Sequence, residues 1–399
     1  MKILFLTDNF PPEVNAPATR TYEHCKEWIK QGVEVTVITG VPNFPEGKVF
    51  GGYKNKFYQV ESIDGIKVIR VWTYIAKNEG FIKRIIDYLS FMISAFMAGL
   101  FIKTDIIIAT SPQFFTAIAG RWLSFWKRTP WVMEVRDIWP ESIKAVGAMN
   151  NSNPIIKFFE YLERKMYKSA SKIVVVTDAF KDYLITNHQI KTSKIDVVKN
   201  GANLDLFKPQ KKNEALIEKL KLNNKFIIAY MGTHGMAHAL DFVLKSAKKV
   251  TNSSIHFLLI GTGAKKEELL QLKEELKLKN VTMLGMVSKE EIKEYISIVD
   301  ISLVNLKKSD TFKSVIPSKI FESVGMHKPI LLGVEGESKK IIEDYEVGET
   351  FGPENEKDFL EKIKQMSESP KDYSFGYDKL LKDFNRKKLA TKMLKFLSE

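Results

Sequence analysis

The chain has 399 residues, 44% hydrophobic and 27% charged, which suits roughly two domains and excludes a disordered tail or a collagen-like repeat. A single cysteine excludes an intrachain disulfide framework and points to a reducing compartment. The net charge of +13 favours anionic partners (nucleic acid, membrane phospholipid or phosphorylated small molecules), and it divides as +8 up to Asn200 and +5 beyond, so no one tail carries it.

The first apolar run, Ile3-Leu4-Phe5-Leu6, is too short for an export signal and reads as a buried strand ending at Thr7. A helix with Tyr22, Cys25 and Ile29 on one face follows, then strands at Val33–Thr39 and Lys67–Val71. Tyr88–Ile102 is nearly all apolar between Lys83-Arg84 and Lys103, but falls short of the roughly 20 residues that span a bilayer. It is either a buried helix or one that dips into a single leaflet, with Phe91, Met92, Phe96 and Phe101 inserted and basic flanks on headgroups. Strands then fall at Ile106–Ala109, Trp131–Val135 and Ile173–Thr177.

A second series follows at Phe226–Met231, His256–Ile260, Val281–Leu284, Ile301–Val304 and Ile330–Leu332. These runs lack polar alternation, as expected for parallel strands covered on both faces. Between them lie helices such as Leu240, Val243, Leu244 and Ala247 at i, i+3, i+4, i+7. The predicted class is α/β, with two doubly wound Rossmann-like domains at 1–205 and 206–375. The tail at 376–399 reads as helical and could belong to either domain. A fold of this kind binds ligands at the carboxyl ends of its strands, and its helix N-termini favour phosphate.

Two nucleotide-binding motifs are missing. No G-x-x-x-x-G-K-[ST] is present, and Thr7-Asp8-Asn9-Phe10-Pro11-Pro12-Glu13 stands where a dinucleotide site would carry G-x-G-x-x-G. No nucleic-acid module appears. His234 and His238 lie four apart beside Gly232 and Gly235, in a loop entering a helix, and a ligand contact suits them better than a metal. Gly201, in Asn200-Gly201-Ala202-Asn203, suits a turn with positive φ. Tyr230-Met231-Gly232-Thr233-His234-Gly235 ends a strand with two glycines that let backbone approach a ligand, and Gly261-Thr262-Gly263 repeats the pattern. Ile316-Pro317-Ser318-Lys319-Ile320-Phe321-Glu322 opens a helix with a hydroxyl, a cation and a carboxylate.

The order of these segments resembles the GT-B glycosyltransferases of family four over essentially the whole chain. Asp8–Glu13 with Arg20, and Val135-Arg136-Asp137-Ile138-Trp139-Pro140-Glu141-Ser142, resemble a subgroup that transfers amino-deoxy sugars, such as the L-fucosamine transferases of capsule and O-antigen synthesis. The resemblance implies a nucleotide-sugar site on the second domain. Glu322 matches the second Glu of the family's E-x7-E motif and would hold the ribose diol. Gly232, Gly261 and Gly263 would line diphosphate and ribose, Gly285-Met286-Val287 would meet the base, and Ser318 and Lys319 would face the diphosphate, with Pro317 in the same nucleotide-sugar site. Ser314 stands at the first Glu of the motif, which favours a modified sugar. Thr233 and His238 replace the family's phosphate-binding Arg and Lys, so Lys319, with His238, becomes the candidate for the missing charge.

On the first domain, Asn15-Ala16 replaces the family's Gly-Gly pair, and its cleft histidine falls near Arg136-Asp137. Asp137, Arg136, Glu13 and Lys319 are then the candidate catalytic residues, and Asn15 and Arg20 the candidate acceptor contacts. The resemblance implies a retaining transferase with no cofactor and no metal. Its donor would be a UDP-sugar and its acceptor a saccharide on polyprenyl diphosphate. It would work in the cytoplasm on the inner face of an anionic membrane, with 83–103 as the membrane-associating helix. Two rivals share the fold class: a UDP-sugar 2-epimerase and a non-catalytic nucleotide-sugar-binding subunit.

Overall fold

A computed structural model of the chain describes residues 1–75, 81–111, 114–139, 154–288 and 291–399. The chain forms two units, one of Met1–Lys199 with Arg386–Glu399 and one of Asn200–Asn385. The division therefore falls ahead of 205/206, and the C-terminal segment is split between the two units.

The first unit holds an eight-stranded sheet in the order β3-β4-β2-β1-β5-β6-β7-β8. The strands are β1 (Lys2–Leu6), β2 (Glu34–Thr39), β3 (Tyr58–Ile63), β4 (Ile66–Val71), β5 (Ile106–Thr110), β6 (Trp131–Val135), β7 (Lys172–Val175) and β8 (Ile195–Val197). All neighbours are parallel except β3 and β4. Helices α1 (Ala16–Lys30), α2 (Phe81–Gly99), α3 (Phe114–Lys127), α4 (Pro154–Ser169) and α5 (Asp178–His188) alternate with them. Alternate side chains of β1 serve opposite faces. Leu4 and Leu6 pack with Ile38, Phe91 and Phe114, whereas Ile3 and Phe5 pack with Trp28 and Met393.

Asn15 caps α1, its side chain accepting the Ala18 N–H at 3.0 Å. Thr177 caps α5 in the same way rather than ending a strand. Helix α2 covers the predicted apolar stretch, and its faces correct one reading. Phe91 and Met92 are core residues, and Phe96 packs edge-on to Trp122. Ile86, Ile93 and Met97 of the helix, and Phe101 just after it, are left in water. No described helix is long and apolar enough to cross a membrane.

The second unit holds a six-stranded parallel sheet in the order β11-β10-β9-β12-β13-β14. These are β9 (Phe226–Met231), β10 (Ile255–Ile260), β11 (Val281–Leu284), β12 (Ile301–Asn305), β13 (Ile330–Gly333) and β14 (Gly348–Thr350). Its helices are α6 (Glu214–Lys219), α7 (Leu240–Ala247), α8 (Lys266–Glu275), α9 (Ile292–Ser297), α10 (Lys319–Gly325), α11 (Glu337–Tyr345), α12 (Glu356–Glu368) and α13 (Ser374–Asp383). Strand order reverses at β9, which lies between β10 and β12, so the crevice at their carboxyl ends is the place for a ligand. Gly201 does not take positive φ. Ala202 instead bridges Asn385, where the chain leaves the second unit.

The last helix, α14 (Arg386–Ser398), packs on α1 of the first unit. Met393 and Ala390 are fully buried there. The Trp28 indole donates to the Ala390 carbonyl at 2.8 Å, and Arg386 pairs with Glu23 at 2.6 Å.

Candidate functional site

The carboxyl ends of β9 and β10 are stitched together by backbone. Gly232 donates to Ile260, His234 to Thr262 and Lys265 back to His234, each at 2.9 Å. This stitching explains the glycines. A Cβ on Gly261 would fall 1.8 Å from the Gly232 carbonyl oxygen, and one on Gly263 would fall 2.7 Å from that of His234. All three glycines also sit at positive φ, from 144° to 154°. Gly261 and Gly263 thus let one turn lie against the other.

Gly232 has a different neighbour: its Cβ would come 2.9 Å from Lys319 Nζ. Lys319 begins α10, whose Ile320, Phe321 and Val324 are core residues. The opposite side of that short helix presents Lys319 and Glu322 together at i, i+3. The Lys319 ammonium lies 3.8 Å from the centre of the Tyr230 ring, which holds the cation without neutralising it. Burial pulls it down to about 7, opposed by the Glu322 carboxylate. The Tyr230 hydroxyl donates to the Thr233 carbonyl at 2.9 Å, fixing the exposed Gly232-Thr233 turn.

His234 and His238 flank Tyr230, with ring centres 6.1 and 5.9 Å away. Burial first, then nearby lysines, pull His234 to about 4. Burial and Lys319 pull His238 to about 3. Both are neutral at pH 7, so His238 adds no positive charge beside Lys319. Both ring nitrogens of His234 and Nδ1 of His238 are buried without a hydrogen-bond partner among the described residues. Asn305, at the end of β12, donates to the His238 carbonyl at 2.7 Å and holds that turn. The motifs do not single out Tyr230 or Asn305, although a polar side chain at the carboxyl end of a central strand is a usable signal.

The remaining residues of the second unit spread around this core. Ser318 is the residue before α10 but makes no capping bond, and Pro317 is half-buried. The Ser314 hydroxyl donates to the Thr311 carbonyl at 3.1 Å. Met286 is exposed and Val287 half-buried on the loop after β11.

In the first unit, two candidate residues are absorbed by the interior. Arg20, 1% exposed, pairs with Glu134 at 2.9 Å and donates to the carbonyls of Lys199 and Val198 at 2.9 and 2.8 Å. An acceptor cannot reach it, so Arg20 is a structural residue and not an acceptor contact. Glu13 is buried too, and accepts the N–H groups of Asn43, Phe44 and Phe10 at 2.9, 2.8 and 3.3 Å. Burial, with Asp8 nearby, nonetheless pushes it up to about 7. Asn15 is occupied as the cap of α1 and by a bond to Asn9.

Arg136 and Asp137 follow β6 directly. The Arg136 N–H donates to Ser111 Oγ at 2.9 Å, while its Nε and Nη1 are buried without a hydrogen-bond partner among the described residues. Burial lowers the guanidinium to about 10. Asp137 is half-buried, and Pro140, Glu141 and Ser142 lie outside the described residues. Among those residues no group of three His, Cys, Asp or Glu side chains is placed to hold a metal.

Two α/β units with largely parallel sheets, and with glycine turns and a Lys-Glu pair at the sheet reversal of the second, make the architecture of the GT-B fold. Comparison with known proteins agrees. Residues 17–206 match the model of Glycosyltransferase Family 4 and residues 212–387 that of Glycosyl transferases group 1. The chain belongs to the family-four glycosyltransferases of the GT-B fold. It is 25% identical over 328 residues to the putative colanic acid biosynthesis glycosyl transferase WcaI of Escherichia coli K12, covering 80% of each chain. It is 25% identical over 210 residues to the putative teichuronic acid biosynthesis glycosyltransferase TuaH of Bacillus subtilis 168, covering 50% of this chain and 49% of that one. The crystal structure of Anabaena HepE with UDP-glucose matches its fold at a TM-score of 0.75 and 15% identity, over 100% of this chain and 99% of that one.

Proposed function

We propose that this enzyme transfers a sugar from UDP to a lipid-linked saccharide in the synthesis of a bacterial surface polysaccharide, with retention of anomeric configuration. The observation that carries the reading is Lys319 Nζ beside Gly232, one helical turn from Glu322. Departure of UDP puts negative charge on the β-phosphate. A pre-placed ammonium in a partly dry site stabilises that charge as it develops, with no reorganisation at the moment of reaction. The backbone N–H groups of the Gly232 turn would add to it. Glu322 would accept two hydrogen bonds from the ribose diol. The acceptor hydroxyl approaches the anomeric carbon on the face that UDP leaves, and the departing phosphate takes its proton. The chain then supplies binding and charge, with no protein nucleophile and no metal.

Arg136 and Asp137 are proposed to orient the acceptor. Ser314 in place of a carboxylate favours an N-acetylated amino or deoxy-amino sugar. HepE, which shares the fold, is described with UDP-glucose, and WcaI and TuaH are named for two bacterial polysaccharides. The exposed apolar side chains of α2 and the +13 charge support a peripheral position on the inner face of the plasma membrane.

The test is incubation with a panel of UDP-sugars, with and without a lipid-linked acceptor. Release of UDP that depends on acceptor supports the reading. Isomerisation of the sugar indicates an epimerase, and thermal stabilisation without turnover indicates a binding subunit; either result overturns it.

A further inference from the structure

The first unit carries a groove of about 1090 Å³ that the transfer reaction does not use. One wall is the outward stripe of α2, including Ile93 and Met97. The facing wall is the β4–β2–β1 side of the sheet. Strand register orders its length. Lys67 lies opposite Thr36, and Lys2 opposite Glu34, at the amino ends of the strands. Trp72, which follows β4, lies at the carboxyl end, stacked on Phe57 at 6.1 Å. Phe57 and Phe101 line the groove 83% and 85% exposed. Along the helix, Ile86 to Met97 spans roughly 17 Å at 1.5 Å per residue.

Such an exposed apolar channel marks an interaction site. Its chemistry selects the occupant. A peptide would bury amides against walls that are mostly apolar along α2, a costly arrangement, and the Ser90 hydroxyl there already bonds the Asp87 carbonyl and the Tyr74 N–H. A hydrocarbon chain has no such groups. At the amino-end mouth Lys2 is paired with Glu34 at 3.0 Å, and Lys67 and Lys103 leave the rim a net positive charge that complements anionic headgroups.

We propose that this groove takes the isoprenoid chain of the acceptor lipid. The chain enters from the membrane past the lysine rim and runs along α2 towards the carboxyl end of the sheet, where β6 presents Arg136. The inference rests on the lipid-linked acceptor of the proposed function.

Binding of isopentenyl, geranyl and farnesyl phosphate to the full chain tests it, with UDP binding measured in parallel. Affinity should rise by about tenfold or more per added isoprene unit, as partial burial of five carbons requires. In the variant carrying Ile93→Glu and Met97→Glu, both at exposed positions, that chain-length dependence should vanish while UDP affinity is unchanged. Equal affinity for all three phosphates in the unaltered chain would overturn the proposal. So would a variant that keeps the dependence but loses binding to anionic vesicles, since the face would then be a membrane contact only. Loss of UDP binding in the unaltered chain would instead remove the transferase reading, and it is a separate readout.

Discussion

Lys319 concentrates the electrostatics of the donor site. Burial pulls its ammonium down to about 7, so it is partly charged at neutral pH, and a diphosphate would restore the full charge. For a lysine lowered from 10.5 to about 7, the folded chain binds fewer protons than the unfolded one between those values. Fold stability from this group therefore rises with pH across that window, and the cost of burying the charge is fully present below about 7. Ligand binding has the opposite sign. UDP favours protonated Lys319, so above about pH 7 its binding should take up close to one proton, with affinity falling up to about tenfold per pH unit. Calorimetry in buffers of different ionisation enthalpy reads this directly. Lys319→Met should weaken binding and remove the proton uptake.

At the scale of elements, the paired glycine turns separate fold from function. Gly261→Ala would drive a Cβ into the Gly232 carbonyl and should cost at least about 3 kcal/mol in urea unfolding. Gly285→Ala meets nothing within 4 Å and should stay within about 0.5 kcal/mol. The α1–α14 contact makes a similar prediction. Arg386→Met leaves Glu23 buried without its cation and should cost about 3 kcal/mol, with Glu23→Leu in the same chain recovering part of it.

The central parallel strands were legible in the sequence because burial on both faces writes continuous apolar runs. Strand β3 was not, since its exposure alternates along an antiparallel edge, and β8 and β14 are three residues long. The glycine turns and the Lys319-Glu322 pair were legible as local motifs. Arg20 was misread because its partner Glu134 lies 114 positions away, and only the folded sheet brings them together. The positions of Tyr230 and Asn305 at strand ends are legible, but their roles are not, because these depend on Lys319 and His238 arriving from elsewhere in the chain.

At the scale of the whole molecule, the charge excess acquires two destinations. A charge of +13 alone suits any polyanion. Under the proposed function each GT-B unit has one anionic ligand, a nucleoside diphosphate for the second and a lipid diphosphate at a membrane for the first. Flotation with liposomes should therefore show binding to anionic vesicles at low salt, lost at high salt and absent with neutral lipid. Failure to bind at low salt would remove the membrane from the account. The central claim is that Lys319 stabilises the departing diphosphate, and its most direct measurement is turnover of purified Lys319→Ala. That variant should fold, with its kcat for acceptor-dependent UDP release lowered by about 100-fold or more. Normal turnover in that variant would contradict it.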